Sequence, residues 1–478
     1  MPGSFSRFVP IACALPVFLF GCGQTGPNEV ASSSTTTPAT SAAADGSAVE
    51  ADQAAAVGAE TQVQKRTPNA GINPKNQVDI VREEIKGGEF QEGPTPFEYL
   101  WQPEKQNPEP DEPLNVEVPL GLPELVAYVP KANPLTTAKA ALGKQLYFDA
   151  RISKDGTVSC ATCHNPEHGW TDQMPTSTGI KGQIGSRSAP TVLNTVYGRS
   201  MFWDGRAPSL EGQSQGPPQN PIEMGEQSYK EIIERLRTIP GYKEQFLKVF
   251  GTDVTLDGVS KAIATFERTA LSGNSAYDKY TRRDMSALSE TQKRGMILFG
   301  LRPNSDDPFK TDVKLKKAEC TSCHIGFNFT DDQFHNLGVG WNEADKTFAD
   351  LGRWAITPIG AKYDKELGAF KTPTLRDLSH TAPYMHDGSE QTLEEVVEFY
   401  DKGGNPNPQL DKDMKKLNLT KQEKADVVAF MKALDGETRK VELPTLPDGP
   451  DGTAPDPKKA LTPPSAKAAL GNVHGLVR

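Results

Sequence analysis

Residues 160–164 read Cys-Ala-Thr-Cys-His, and residues 320–324 read Cys-Thr-Ser-Cys-His. The chain contains only 6 cysteines, and these two stretches hold four of them. Cys-x-x-Cys-His is the attachment motif of c-type haem, in which both thiols form thioethers and the histidine ligates the iron. Two covalently bound haems are therefore predicted, one at Cys160, Cys163 and His164 and the other at Cys320, Cys323 and His324.

Two other uses of these cysteines stay open. In an exported chain, each pair could form a disulfide. Zinc could instead bind two thiolates and the adjacent histidine, but it would need a fourth ligand at each site. The only further histidine or cysteine close to either pair is His168. The pattern favours haem over both alternatives.

The two motifs open an internal repeat. Four further landmarks follow each motif in the same order. They are Trp170-Thr171-Asp172, Pro190-Thr191, Asp204-Gly205 and Leu210 in the first copy, and Phe329-Thr330-Asp331, Pro373-Thr374, Asp387-Gly388 and Leu393 in the second. In both copies the leucine follows the aspartate by six residues. This order predicts two related modules of ordinary domain size.

The local signals between these landmarks are helical. Three segments begin with capping boxes, which are Ser289 with Gln292, Thr392 with Glu395, and Thr420 with Glu423. Apolar residues recur at helical spacing, and long alternation typical of strands is missing. The predicted fold class is mainly α, with two tandem c-type cytochrome domains connected and interrupted by Gly/Pro-rich loops.

Composition sets the domain boundaries. Residues 1–21 contain an apolar run that ends in Leu19-Phe20-Gly21 before Cys22, which is typical of a lipoprotein signal peptide; an ordinary secretory signal is the alternative. The expected order is then a low-complexity tether and Pro-rich extension at 22–117, an N-terminal cytochrome domain at 118–284 and a C-terminal one at 285–437. Residues 438–478 are predicted to form a disordered tail.

Charge and hydropathy limit the partners. The formal net charge is −10 and the sequence pI is about 5.4, which argues against nucleic acid as a partner. No later apolar stretch is long enough to span a bilayer. A lipoprotein signal and an ordinary secretory signal both predict export from the cytoplasm. We therefore expect a periplasmic protein, tethered to the membrane only by a lipid on Cys22.

The second axial position of each haem iron decides whether a small molecule can bind there. Seven residues after the repeat leucine, the first copy has Pro217 and the second has Tyr400. Proline cannot ligate iron, whereas tyrosine can, although a tyrosine on the buried face of a helix is more often part of the core. These residues suggest that the first haem is open and the second closed.

An open haem that cleaves peroxide needs an acid–base group nearby. Glu223, in Asn-Pro-Ile-Glu-Met, is the candidate, and a carboxylate at a helix start is its ordinary alternative explanation. Trp203 could relay electrons between the haems, although packing is the commoner role of a buried indole.

The chain resembles the bacterial di-haem cytochrome c peroxidase family, which includes the MauG enzymes. The resemblance covers about residues 120–436 and rests on NPLTTAKAALGKQLYFD, SCATCH, RSAPTVLN, FWDGR, NPIEM, AECTSCH, TAPYMHDGS and VVEFYDKGG, in that order. It implies a peroxidatic haem in the first domain and an electron-transfer haem in the second. It also implies an acid–base role for Glu223, an interhaem position for Trp203, and a distal-pocket position for Gln213. Thr381 and Pro383 match positions whose carbonyls bind a calcium ion.

The chain departs from the family pattern at three positions. Ile180 stands where many members have a distal histidine that blocks the first haem, which implies a first haem that is always open. Tyr400 matches the MauG ligand of the second haem, where ordinary members use methionine, and Met385 is a rival ligand. Ser188 replaces an asparagine that usually belongs to the calcium site.

The expected function is a di-haem peroxidase that reduces hydrogen peroxide to water. Its expected partners are hydrogen peroxide, a small periplasmic cytochrome c or cupredoxin as electron donor, and a second copy of the chain in a homodimer. One alternative is a MauG-like enzyme that uses peroxide to oxidise residues of a protein partner. The other is a di-haem electron carrier without enzymatic activity, which would need both irons fully ligated.

Overall fold

The computed structural model describes residues 110–302, 317–357 and 364–464, and they are mainly helical. The α-helices are α1 (Thr137–Phe148), α2 (Cys160–Cys163), α3 (Leu210–Gln213), α4 (Tyr229–Arg237), α5 (Pro240–Phe250), α6 (Leu256–Glu267), α7 (Ala276–Thr281), α8 (Glu290–Phe299), α9 (Arg353–Ile356), α10 (Leu393–Asp401) and α11 (Lys421–Lys432). Short 3₁₀ turns include Ala150–Ile152, Pro166–His168, Ile180–Gly182, Pro217–Gln219, Cys320–Ser322 and Leu378–His380.

The strands are short and pair in twos, all antiparallel. They are β1 (Ser272–Gly273) with β6 (Glu437–Thr438), β2 (Phe334–Asn336) with β5 (Ala369–Lys371), and β3 (Trp341–Asn342) with β4 (Thr347–Phe348). The predicted mainly α fold class is confirmed in this respect. None of the helices in the described ranges has the length and apolar character that a bilayer-spanning helix requires.

The predicted helix starts are confirmed. Ser289, Thr392 and Thr420 each accept a backbone hydrogen bond from the third helical residue, whose side chain bonds back to the cap. Three further boxes in the described residues, which were not predicted, begin at Ser159, Ser228 and Ser275. Each box satisfies two backbone donors that the first turn of a helix leaves unpaired.

Two separate apolar cores are formed mainly by residues before β1 and by residues after β1 in the chain. The first is built mainly by α1, α4, α5 and α6, and the second by α7, α8, α10 and α11. Tyr277 and Tyr280, which precede the predicted boundary at residues 284/285, belong to the second core. Both tyrosines lie in α7, which Ser275 caps shortly after β1.

The two halves use the same helix crossing. α1 packs on α6 in the first half, and α8 packs on α11 in the second. A Cβ atom on Gly143 would lie 1.8 Å from the carbonyl oxygen of Ala262, and one on Gly295 would lie 1.9 Å from that of Asp426. Only glycine allows helices to approach this closely. The internal repeat therefore extends to the helices before each Cys-x-x-Cys-His motif.

The turns around Asp204 and Asp387 also match. Met201 bridges to Ala207 in the first copy, and Tyr384 bridges to Glu390 in the second. The backbone φ of Phe202 is 67° and that of Met385 is 68°, although non-glycine residues seldom adopt positive φ. Trp203 and His386 follow these residues, so they occupy the same place in the two copies.

The C-terminal segment differs from the predicted disordered tail at 438–478. Residues 438–464 run back over the first half, where Leu446 and Ala460 are buried and Leu461 packs against the first core. Gln145 and Arg151 donate side-chain hydrogen bonds to the carbonyls of residues 445 and 447. The Pro-rich composition suggested disorder, but the few apolar residues of the segment are placed where the first half can bury them.

The N-terminal boundary also differs slightly from the prediction. Pro113 bridges to Thr136, and Asp111 accepts hydrogen bonds from the first amides of α1, so the folded part begins before residue 118. The predicted signal peptide 1–21, the lipid site Cys22 and the tether up to residue 109 lie outside the described residues, as do residues 465–478.

Candidate haem sites

The first Cys-x-x-Cys-His motif forms a single helical turn, α2. Ser159 caps it, and Thr162, inside the motif, bonds back to the Ser159 amide and donates to the carbonyl of Ala460. The C-terminal segment is thus attached to this turn. Burial raises the pKa of the Cys163 thiol to about 12, and the carboxylates of Asp172 and Glu223 add to this effect.

The two motif histidines are held in the same way. Nδ1 of His164 lies 2.9 Å from the carbonyl oxygen of Pro190, and Nδ1 of His324 lies 2.9 Å from that of Phe329. A carbonyl can only accept, so Nδ1 carries the proton and Nε2 keeps its lone pair. Burial lowers the pKa of both rings, which favours the neutral form. Neutral imidazole with a free Nε2 is the form that ligates a metal.

The second motif opens onto a cavity of about 280 Å³. Cys320, Cys323 and His324 lie on its wall with Tyr400 and Met385. Much of the remaining lining is apolar and includes Leu375, Leu378, Leu393, Val396 and Val397. An apolar cavity with two thiols and a preoriented imidazole fits a covalently attached haem.

The alternatives to haem gain no support from the cysteines. No disulfide joins the four motif cysteines, which all lie within the described residues. In the described ranges, the only group of three metal-binding side chains is Cys323, Asp331 and His335. His335 already bonds Asp331 through Nε2 (3.0 Å) and Asp411 through Nδ1 (2.7 Å), and these two carboxylates, with Cys323, raise its pKa to about 12. A doubly protonated ring has no lone pair for zinc. His168, the fourth zinc ligand considered for the first motif, is exposed and outside this group.

The structure places both predicted candidates for the second axial ligand in the same cavity. Tyr400 lies in α10, and Met385 lies in the turn before it. Burial raises the pKa of the Tyr400 hydroxyl. A tyrosine in this environment stays neutral unless a cation such as ferric iron compensates the charge of the phenolate. The choice between Tyr400 and Met385 therefore remains a prediction.

The segment of the first half that corresponds to α10 has a different structure. α10 continues through Tyr400, but α3 ends at Gln213 and is followed by a 3₁₀ turn at Pro217–Gln219. Gln213 is partly buried and its amide bonds the carbonyl of Ser209. Pro217 thus starts a turn at the position where the second copy has Tyr400.

Glu223 follows this turn and is partly buried. Asn220 donates its side-chain amide to Oε1 of Glu223 over 2.9 Å. Burial raises the pKa of Glu223, while the positive charges of Arg206 and Arg187 oppose the rise. A raised pKa makes the carboxylate a stronger base than an ordinary glutamate, which suits acid–base work. Asn220 lies three residues earlier in the motif that identified Glu223, yet the sequence analysis gave it no role.

Ile180 supports the position of Glu223. Its amide donates to the carbonyl of Glu223 over 3.0 Å, and its side chain is buried in the first core. Gly179 lies against the carbonyl of Ile222, where no side chain would fit. The loop at 179–183 therefore packs directly on the loop that carries Glu223.

Trp203 joins the two halves. Its indole Nε1 donates to the carbonyl of Ser188 over 2.9 Å, and the Ser188 amide donates to the carbonyl of His386 over 2.7 Å. Trp203 also contributes to the wall of the second cavity. A residue from the first half therefore reaches the site in the second half.

A network of ion pairs and hydrogen bonds is centred on Asp204, the residue after Trp203. Arg187 bonds Asp204 (2.7 Å) in its own half and Asp350 (2.6 Å) in the other, and Arg206 also bonds Asp204 (2.9 Å). Arg353 donates to the carbonyl of Asp204. The network could not be predicted from the sequence because its members are far apart in the chain. Arg187, Asp204 and Arg206 stand in the motifs RSAPTVLN and FWDGR, but Asp350 and Arg353 stand in none of the quoted motifs.

The predicted calcium positions, Thr381 and Pro383, also line the second cavity. Ser188, which replaces the family asparagine, lines it as well. The amide and carbonyl of Ser188 already bond His386 and Trp203. Calcium prefers several oxygen ligands, and the described contacts neither supply nor exclude such a set. The calcium site stays a prediction.

Comparison with known proteins connects this geometry to a family. The family model described as Di-haem cytochrome c peroxidase matches residues 137–286. The Methylamine utilization protein MauG of Methylorubrum extorquens is 42% identical over 327 residues, which cover 68% of this chain and 86% of that protein. The Cytochrome c551 peroxidase of Nitrosomonas europaea is 37% identical over 332 residues, which cover 69% and 90%. A solved MauG-like protein associated with microbial copper homeostasis superposes with a TM-score of 0.58 at 31% identity, over 68% of this chain and 96% of that one.

Proposed function

The chain belongs to the di-haem cytochrome c peroxidase family, and on that premise we propose that it reduces hydrogen peroxide to water with electrons from a small cytochrome c. Relatives named as cytochrome c peroxidases support this function, and relatives named MauG support the same family. The observation that carries the proposal is the difference between two otherwise matching sites. The first has Pro217 and a nearby carboxyl group, and the second has Tyr400.

The residues that would hold the haems are those of the two motifs. Cys160 and Cys163 would form thioethers in the first half and Cys320 and Cys323 in the second, with His164 and His324 as iron ligands. A haem iron with an open position activates peroxide, whereas one with both positions filled transfers electrons. Tyr400 would fill the second position in the second half. Its partial burial and its place on the cavity wall support this assignment over a purely structural role.

Glu223 would move the protons. Reduction of hydrogen peroxide to two water molecules consumes two electrons and two protons. The Glu223 carboxylate would take the proton from one peroxide oxygen and deliver it to the other as that oxygen leaves. Its raised pKa makes the carboxylate a stronger base than an ordinary glutamate, which favours the first of these transfers. Asn220 holds one carboxyl oxygen and leaves the other available.

Trp203 would carry electrons from the second half to the first. It lines the second cavity and belongs by sequence to the first half. Its bond to Ser188 fixes the indole in one orientation. Gln213 would line the peroxide pocket, since it ends α3 four residues before Pro217.

The remaining features of the proposal concern organisation and location. The two halves would act as tandem cytochrome domains, and their separate cores support this division. The N-terminal sequence supports export to the periplasm and a lipid anchor at Cys22. A cupredoxin is the alternative donor, a homodimer is the proposed assembly, and one calcium ion would bind at Thr381 and Pro383.

The test is peroxide-dependent oxidation of a reduced small cytochrome c by haem-loaded protein that has not been reduced beforehand. Glu223→Gln should lower kcat/KM by about 10²–10⁴-fold, since it removes the acid–base group and keeps the shape. Glu226→Gln is the matched control, because Glu226 is exposed and close in sequence. Equal turnover in wild type and Glu223→Gln would refute the role of Glu223.

Tyr400 favours a second candidate, a MauG-like enzyme that oxidises residues of a protein partner. An anionic oxygen ligand stabilises ferric iron. If peroxide produces a long-lived oxidised state of the protein with little cytochrome turnover, this candidate replaces the first. No reaction with peroxide would leave only an electron carrier.

A further inference from the structure

Lys371 connects Trp203 to the second cavity. It ends β5, and its backbone amide donates to the carbonyl of Trp203 over 2.7 Å. Its side chain is only 20% exposed, and the residue lines the cavity that contains Cys320, Cys323 and His324. One residue therefore bonds the backbone of Trp203 and also lines the cavity.

The ammonium group of Lys371 is poorly compensated. The nearest carboxylate is that of Asp332, whose Oδ1 lies 4.0 Å from Nζ, beyond hydrogen-bond distance. This Oδ1 is itself buried without a hydrogen-bond partner. Burial lowers the pKa of Lys371, and Asp332 opposes the effect. A buried ammonium group is costly unless a hydrogen-bonded anion accompanies it.

The other cations on the cavity wall already have close partners. Arg376 makes two bonds with Asp278, at 2.8 and 2.9 Å. Lys415 lies 3.4 Å from Glu319 and is largely exposed. Among the lysines and arginines that line this cavity, Lys371 is the one whose ion pair is longest. It is the cation best placed to receive an additional anion from inside the cavity.

We propose that Lys371 binds a carboxylate of the porphyrin attached at Cys320 and Cys323, and thereby positions this cofactor relative to Trp203. The inference rests on the proposed function, because the cofactor that fits the motif is haem, which carries two propionate groups. The ammonium group gains the hydrogen-bonded anion that Asp332 does not provide. Because the Lys371 amide bonds the carbonyl of Trp203, the same residue would fix the position of the cofactor carboxylate relative to Trp203.

The proposal has a measurable electrostatic consequence. A positive charge near the second haem stabilises the reduced state, which carries one positive charge fewer at the iron. Lys371→Gln should therefore lower the midpoint potential of the second haem and leave that of the first unchanged. Lys371→Arg, which keeps the charge, should restore most of the potential. Lys415→Gln is the matched control, because it removes an exposed lysine from the same wall.

The experiment is a spectroelectrochemical titration of the haem-loaded variants, combined with resonance Raman spectra of the propionate bending modes. A lower potential of the second haem and a shifted propionate mode in Lys371→Gln alone would support the proposal. Equal shifts in Lys371→Gln and Lys371→Arg, or no shift in either, would overturn it. If Lys371→Gln fails to fold, Lys371→Met takes its place with the same two readouts: a lower potential of the second haem and a shifted propionate mode support the proposal, and no shift in either overturns it.

Failure of the proposed function would look different. Mass spectrometry of the wild-type protein would then show fewer than two attached haems, or the loaded protein would not turn over peroxide. Both measurements are made on wild type before the variants are compared. The potential of the second haem does not depend on peroxide turnover, so the two proposals can fail separately.

Discussion

The ion pair between Asp278 and Arg376 should be a main determinant of stability. The side chains are 1% and 0% exposed, and the guanidinium bonds both carboxylate oxygens, at 2.8 and 2.9 Å. Asp278→Asn keeps the shape but removes the charge and turns an amide donor towards Arg376. Removing one partner of a buried ion pair costs about 3–5 kcal/mol, because the other charge stays buried without compensation. Arg376 would retain at most one neutral acceptor oxygen of the new amide, the carbonyl of Phe327 at 2.9 Å and a longer contact with that of Gly121.

The assay is urea-induced unfolding of the haem-loaded protein, since urea does not screen charges as guanidinium salts do. Arg439→Gln is the matched control: Arg439 pairs with Glu117 at 2.9 Å, but both side chains are largely exposed, so no measurable change is expected. The double variant Asp278→Leu with Arg376→Met should be more stable than the sum of the single variants predicts, since neither charge is left alone. A loss below about 1 kcal/mol in Asp278→Asn, or strict additivity in the double variant, would refute the reasoning.

Three further predictions concern packing and pH. Gly143→Ala should abolish stable folding, because its Cβ would lie 1.8 Å from a backbone oxygen of α6. Gly212→Ala is the control and should fold normally, because the nearest atom to its Cβ would be 3.6 Å away. Circular dichroism and the yield of soluble protein distinguish the two outcomes. Leu446→Ala should destabilise the first half by about 2–5 kcal/mol in thermal or urea unfolding, because the side chain is 3% exposed, while Leu443→Ala, at 42% exposed, should have little effect. Burial raises the pKa of Glu267 from 4.5 to about 8. Between these two pH values the folded protein keeps the proton and the unfolded chain loses it, so the free energy of unfolding should fall as the pH rises from 4.5 to about 8. Glu267→Gln should remove that slope, and an unchanged slope would contradict it.

Local signals predicted local structure well. The capping boxes at Ser289, Thr392 and Thr420 need only residues three positions apart, and all three begin helices. The repeat landmarks are equally local, and the structure shows matching backbone conformations at Phe202 and Met385. Such features depend on neighbouring residues alone, so a single sequence contains enough information to find them.

Features that join distant parts of the chain could not be predicted in this way. Arg187 bonds Asp350 from 163 positions away, and Thr162 bonds Ala460 from 298 positions away. The sequence of residues 438–464 alone suggests disorder, because it has too few apolar residues to form a core. Its Leu446 becomes buried only because the first half provides a complementary surface. The site has the same limitation, since no pattern around Lys371 indicates that it contacts Trp203.

The two halves differ in the helix that follows the repeat leucine, and Pro217 contributes to this difference. α10 runs from Leu393 to Asp401 and carries Tyr400 onto the wall of the second cavity. In the first half the corresponding helix ends at Gln213, and Pro217 starts a tighter turn. A proline inside a helix removes a backbone donor and clashes with the preceding turn.

Pro217 therefore makes two changes at once. It removes the side chain that could have filled the axial position, and it frees the following residues from the helix. The released loop brings Glu223 close enough to Cys163 for its charge to affect the pKa of the thiol. An open position and an acid–base group are both required for peroxide chemistry, and neither is useful without the other. On the proposed assignment, the shorter helix of the first half would leave its haem open beside Glu223, and the longer α10 would bring Tyr400 to the second haem.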